Sequence, residues 1–268
     1  MRVQKSGAGR HADRPTSDAP VLEVSHFTKR YGARVAADDV SLTVRGGTVF
    51  GFIGPNGAGK TTLIRSIVGA STMTSGDIRI CGMSVREQPV ACKRLLAYVP
   101  DNPDVYGFLA GAQYLAHIAD VFGVSREQRQ RRIERYARAF RIEGRLDELV
   151  SSYSHGMRQK LVLVSAFLHA PRLLVLDEPF VGLDPQASHE LKALMREFTQ
   201  SGGAIFFSSH VLEVVERLCD EIAIIKEGRI VRGGATEEVC GDDSLEDVFL
   251  ELADDGAAEQ AWRGGEGA

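Results

Sequence analysis

Gly54-Pro55-Asn56-Gly57-Ala58-Gly59-Lys60-Thr61 matches the phosphate-binding pattern G-x-x-x-x-G-K-[ST] in full, and its flanks decide what it belongs to. Before it, Thr48 to Ile53 is a short apolar run of the buried-strand type. After it, from Thr62 to Val68, Leu63, Ile64 and Ile67 fall at helical spacing. Strand, glycine loop and helix, in that order, is the arrangement the chemistry needs. Glycines let the backbone curl so that successive N–H groups face inward, and the helix that follows adds the positive end of its dipole. An anionic polyphosphate is the ligand such a turn selects. Lys60 is expected to reach the β- and γ-phosphates, and Thr61 to offer its hydroxyl to Mg²⁺.

Working outward, the buried-strand pattern recurs at Leu173-Leu174-Val175-Leu176, Ala204-Ile205-Phe206-Phe207 and Ile222-Ala223-Ile224-Ile225, with helical segments between. This predicts an α/β phosphate-loop fold with a mostly parallel sheet covered on both faces. Upstream, Val21 to Ser25 and Val40 to Val44 alternate with period two, which predicts an N-terminal antiparallel β subdomain. Between Asp101 and Ala170 no strand signal occurs. Gln113 to Phe122, Arg126 to Phe140 and Met157 to His169 read as helices, so residues 101–170 are expected to be an inserted helical subdomain. Leu245, Val248, Phe249 and Leu252 mark one more amphipathic helix, expected to dock on the core. Residues 1–20 and 253–268 lack periodicity and are expected to be disordered tails around a single domain at 21–252.

The 268 residues, 44% of them hydrophobic, suffice for a full α/β core without disulfide or metal staples. The four cysteines are scattered, which fits reduced cytosolic thiols. With 32 Lys+Arg against 36 Asp+Glu the formal charge is −4, giving no long-range attraction to nucleic acid. Arg126 to Arg145 is locally basic, but Glu127, Glu134 and Glu143 interleave it as on a solvated helix face. No apolar run approaches the roughly 20 residues a membrane span requires, so the chain is expected to be soluble.

Two further groups of residues carry chemistry. Leu173 to Leu176 runs into Asp177-Glu178, a buried strand ending in two acids. Asp177 suits Mg²⁺ capture, and Glu178, facing another direction, can take a proton from an attacking water. Tyr153-Ser154-His155-Gly156-Met157-Arg158-Gln159 lies before a helix, where Ser154 and the Gly156 backbone are anion-binding groups at a positive helix end. Together with the phosphate loop, this stretch resembles the signature of the ABC ATPase family, usually written LSGGQ, with departures at His155 and Met157.

The resemblance extends from about Val21 to Leu252. It implies that Tyr31 stacks on adenine and that Gly54, Pro55, Asn56, Gly57, Ala58, Gly59, Lys60, Thr61 and Thr62 hold the phosphates of ATP. It implies that Ser154 and Gly156 bind the γ-phosphate held by another protomer. Asp184, in Gly182-Leu183-Asp184, matches the D-loop that touches the partner's phosphate loop, and His210 matches the switch histidine, acting in catalysis with Glu178 and Lys60. Asp101 stands where the family carries the Q-loop glutamine and is expected near nucleotide and metal, with Thr61 and Asp177 as the other metal residues.

The implied function is that of the ATP-hydrolysing subunit of an ABC transporter, closing as a dimer on ATP and Mg²⁺. It would drive a separate transmembrane permease from the cytoplasmic side of the cell membrane. Phe108-Leu109-Ala110-Gly111 and Ser244 to Leu250 resemble the branch that pairs with type-two export permeases. The alternative is a non-transport ABC ATPase acting on nucleic acid or ribosomes; such proteins carry coiled-coil inserts, paired ATPase halves or metal clusters, for which this sequence has no signal. A regulator that binds ATP without hydrolysis is disfavoured by Glu178 and His210.

Overall fold

The computed structural model describes residues 20–252, so the tails expected at 1–20 and 253–268 lie, except for Pro20, outside the described residues. Pro20, read as part of the N-terminal tail, is the first residue of β1 and pairs with Arg45.

Among the described residues, ten strands form two sheets, with nine α-helices around them, the last at 245–252. β1 (Pro20–Tyr31) and β2 (Arg34–Arg45) form a long hairpin, which β4 (Ser75–Ile80) and β5 (Met83–Ser84) extend into an antiparallel sheet of order β2-β1-β4-β5. The second sheet has the order β10-β9-β3-β8-β7-β6. It comprises β3 (Val49–Ile53), β6 (Leu96–Val99), β7 (Leu173–Asp177), β8 (Ala204–Ser208), β9 (Glu221–Lys226) and β10 (Arg229–Ala235). All its pairings are parallel except β10 on β9.

The central strands show why their runs are apolar without alternation: each residue is buried, but on alternate faces. Phe50 and Phe52 of β3, Leu173 and Val175 of β7, and Phe206 of β8 join one core, against the antiparallel sheet and α1 (Lys60–Ile67). Val49 and Ile53, Leu174 and Leu176, and Ile205 and Phe207 join the other. That second core is closed by α3 (Gly111–Val121), α4 (Arg126–Ala139), α5 (His155–Leu168) and α6 (Pro185–Gln200). Residues 245–252 are helical, and Leu245 and Val248 are buried in the same core.

No strand lies between β6 and β7, where α3, α4, α5 and two short 3₁₀ turns occupy the chain. Several elements gave no clear sequence signal, among them β4, β6, β10, α2 (Pro89–Leu95) and α7 (Leu212–Leu218). β4 carries Gly76 and Asp77, and β10 is a partly exposed edge with two glycines, so neither presents an apolar run. The remaining helix, α8 (Thr236–Cys240), is a single turn. Among the described residues, no helix is long and apolar enough to cross a membrane.

Candidate nucleotide site

The C-terminal ends of the parallel strands are where an open α/β sheet accepts ligands. β3 delivers the glycine loop there, β7 delivers Asp177 and Glu178, and β6 leads through Pro100 to Asp101. A cavity of about 420 Å³ opens at this edge, lined by Asn56, Gly57, Gly59, Lys60, Thr61 and Thr62 of the loop and α1. Asp101, Asp177 and Glu178 close one side, and Tyr31, Arg34 and Ala36 of the hairpin the other. A larger cleft of about 490 Å³ lies at the opposite strand ends, around Thr48 and Asp220, and contains none of the motif residues.

The loop's shape is set by close approaches. A Cβ at Gly54 would lie 2.2 Å from the Ile225 carbonyl oxygen, and one at Gly59, where φ is 111°, would lie 2.4 Å from that of Ala36. Only glycine fits either position. Gly59 also precedes α1 without a side-chain cap, which leaves the first helical N–H groups available to an anion. Pro55 and Ala58 close the turn, through a 3.2 Å bond from the Ala58 N–H to the Pro55 carbonyl.

Lys60 curls back over this loop, donating to the carbonyls of Gly54 and, at 3.1 Å, Pro55. Burial depresses its pKa, while Glu178 and Asp177 pull it back up. Asp177 is buried, and burial raises its pKa; the Ser208 hydroxyl opposes this, Asp101 and Glu178 reinforce it, and Lys60 lowers it again. Tyr98 of β6 is pushed up to about 12 by burial and by the charges of Asp177 and Asp101. The carboxylates therefore repel one another around one ammonium, an arrangement that favours a divalent cation with oxygen ligands. Among the described residues, no three His, Cys, Asp or Glu side chains converge to hold a metal by themselves.

Glu178 lies just past β7 with φ of 49°, a left-handed conformation at the end of a buried strand. Its carboxylate meets His210 Nδ1 at 2.9 Å and Ser209 Oγ at 3.1 Å. Tyr31 ends β1, half exposed at the cavity mouth, with Lys29 Nζ 4.9 Å from the ring centre.

Ser154, Gly156 and Asp184 do not line this cavity; they form a second cluster. Ser154 caps α5, its Oγ accepting from the Met157 N–H at 3.3 Å. Gly156 packs so tightly on Gly182 that a Cβ would lie 2.4 Å from the Gly182 oxygen. Asp184 caps α6 through the Ala187 N–H at 2.8 Å and pairs with Lys160 at 2.5 Å, contacts that hold its carboxyl below the usual range. Sequence reasoning did not single out Arg34, Lys160, Gln159 or Ser209. A basic residue just after the Tyr31-Gly32 turn and a hydroxyl beside His210 were the available signals for two of them.

A profile of the ABC transporter family matches residues 37–181. The chain is 40% identical over 213 residues to "Uncharacterized ABC transporter ATP-binding protein YhcH" of Bacillus subtilis, covering 79% of this chain and 68% of that one. It is 33% identical over 219 residues to "Nod factor export ATP-binding protein I" of Cupriavidus metallidurans, covering 82% of this chain and 72% of that one. Among solved structures, "Structure of ATP binding subunit of ABC transporter" superimposes with a TM-score of 0.84 at 36% identity, covering 87% of this chain and 99% of that chain.

Proposed function

The chain belongs to the ABC transporter family as an ATP-binding, ATP-hydrolysing subunit, and on that premise we propose that two such subunits sandwich two ATP molecules and drive a membrane permease. The supporting observation is the division of the motif residues into two clusters. The cavity contains what grips a nucleotide, Lys60, Thr61 and Thr62, and what acts on it, Asp177 and Glu178. Ser154, Gly156 and Asp184 stand elsewhere on the same chain. A second copy would bring its own cluster over the cavity, so that each site is completed across the interface. ATP then favours the closed pair, and hydrolysis releases it.

Within one site, Tyr31 offers a ring to the adenine, and residues 54–62 offer backbone N–H groups and the Lys60 ammonium to the phosphates. Thr61 and Asp177 would hold Mg²⁺, with Asp101 lining the same cavity; the ion, when bound, would neutralise charge on the β- and γ-phosphates. Glu178 accepts a proton from the attacking water, and His210, hydrogen-bonded to it, faces the γ-phosphate.

The permease is proposed to dock on the segment between Asp101 and α3. Tyr106 and Phe108 there are 53% and 75% exposed, with ring centres 5.8 Å apart. Exposed paired aromatics of this kind fit a partner's apolar surface. Contact with a permease would hold the chain peripherally at the cytoplasmic face of the membrane. The similarity to a Nod factor export protein supports outward transport.

The test is Glu178→Gln, which keeps size and hydrogen bonding but removes the base. With ATP and Mg²⁺, light scattering should report a stable dimer of twice the monomer mass while hydrolysis falls at least about a hundredfold. A variant that hydrolyses ATP at the parental rate would refute the assignment.

A further inference from the structure

Glu178 is held more firmly than a solvent-facing strand-end acid requires. Its N–H donates to the Ser208 carbonyl at 2.9 Å, pinning the backbone to the end of β8. Its carboxylate is then gripped from two sides, by His210 Nδ1 on Oε1 and by the Ser209 hydroxyl on Oε2. The two partners differ in freedom: the His210 side chain is 64% exposed, whereas Ser209 is 3% exposed. The Val211 N–H donates to Ser209 Oγ at 3.2 Å. An ionised carboxylate only accepts, so the Ser209 proton points at Oε2, and the chain from Val211 through Ser209 to Glu178 is polarised in one direction.

We infer that Ser209 is a positioning residue for Glu178, the fixed partner that keeps the carboxylate aimed when His210 turns to the γ-phosphate. The inference rests on Glu178 being the base. Of the two partners Ser209 is the buried one and His210 the exposed one, so Oε2 on the hydroxyl is the fixed end of the carboxylate and Oε1 the end open to water. Without Ser209 the side chain would be free to rotate at the moment of proton transfer, and misplacement of a reacting group by about 1 Å costs on the order of a hundredfold in rate.

The experiment compares Ser209→Ala and Ser209→Thr in the full chain assembled with its permease, measuring steady-state hydrolysis and the affinity for a fluorescent ATP analogue. Ser209→Ala should lower kcat by about tenfold or more, with KM and nucleotide affinity within about twofold, and Ser209→Thr should restore most of the rate. If the alanine variant does not fold, Ser209→Cys, a weaker donor of similar shape, should show a smaller kcat loss on the same readouts. A normal kcat, a parallel loss of kcat and affinity, or failure of threonine to restore the rate overturns the role of Ser209. Glu178→Gln separates the two ideas. If it keeps the parental rate, the reading of Glu178 falls; if it is inactive while Ser209→Ala is normal, only the inference about Ser209 falls.

Discussion

Asp101 stands where the family resemblance leads one to expect a glutamine, and it lines the cavity. A glutamine would bring a neutral carbonyl and an amide donor; aspartate is shorter, charged and accepts only. It faces the same cavity as Asp177 and Glu178 and raises the pKa of Asp177. A polyphosphate entering without a metal therefore meets an extra negative charge. Asp101→Asn should tighten binding of ATP in EDTA by about three- to tenfold, roughly 0.7–1.4 kcal/mol, and flatten the dependence of hydrolysis on Mg²⁺. Calorimetric titration with and without Mg²⁺ measures both, and unchanged affinity in EDTA would place the Asp101 charge out of reach of the phosphates.

At the scale of elements, α5 and the loop between β7 and α6 behave as one piece. Gln159 is buried and donates to the Pro179 carbonyl at 3.3 Å, Lys160 pairs with Asp184, and Gly156 lies against Gly182. The loop that starts beside Glu178 thus carries the start of α5, where Ser154 sits. Gly156→Ala puts a methyl group 2.4 Å from the Gly182 oxygen, so loop and helix must separate. The loss of stability should be about 1–3 kcal/mol, the usual range for overpacking. Hydrolysis should fall much further than nucleotide binding, since the phosphate loop is untouched. Urea unfolding alongside ATPase and nucleotide-binding assays tests this, and an alanine variant with parental stability would mean that the contact is loose in solution.

For the whole molecule, the proposed function makes activity a property of pairs, because the two clusters stand apart on one chain. Lys60→Ala removes the ammonium of a chain's own cavity, and Ser154→Arg blocks what it contributes to a partner's. In a mixture of the two variants, a heterodimer has one site with both defects and one with neither. If opposite clusters complete each site, mixing should restore hydrolysis to as much as about half the parental rate per heterodimer, whereas each variant alone stays at least about tenfold down. No recovery on mixing, with heterodimers verified by mass, would mean either that each chain completes its own site or that both sites must fire together. A Ser154→Arg homodimer of normal activity would exclude the shared site outright.

The placement of the motifs on strand, loop and helix was legible in the sequence because it depends on neighbours along the chain. The phosphate loop, the strand ending in Asp177-Glu178 and the serine before α5 each need only a few consecutive residues in a set order. The α/β class followed from unbroken apolar runs, since a strand buried on both faces has no polar side to show. The sequence could not say how these pieces meet. Tyr31 and Arg34 reach the cavity only because the β1–β2 hairpin folds over the loop, and the grip of Ser209 on Glu178 needs β7 and β8 paired so that Asp177 faces Ser208. The tie of Lys160 to Asp184 spans 24 positions, and only packing makes them neighbours. Contacts of that kind are set by sheet order and close approach, which distribute over the whole chain and leave no mark in any one segment.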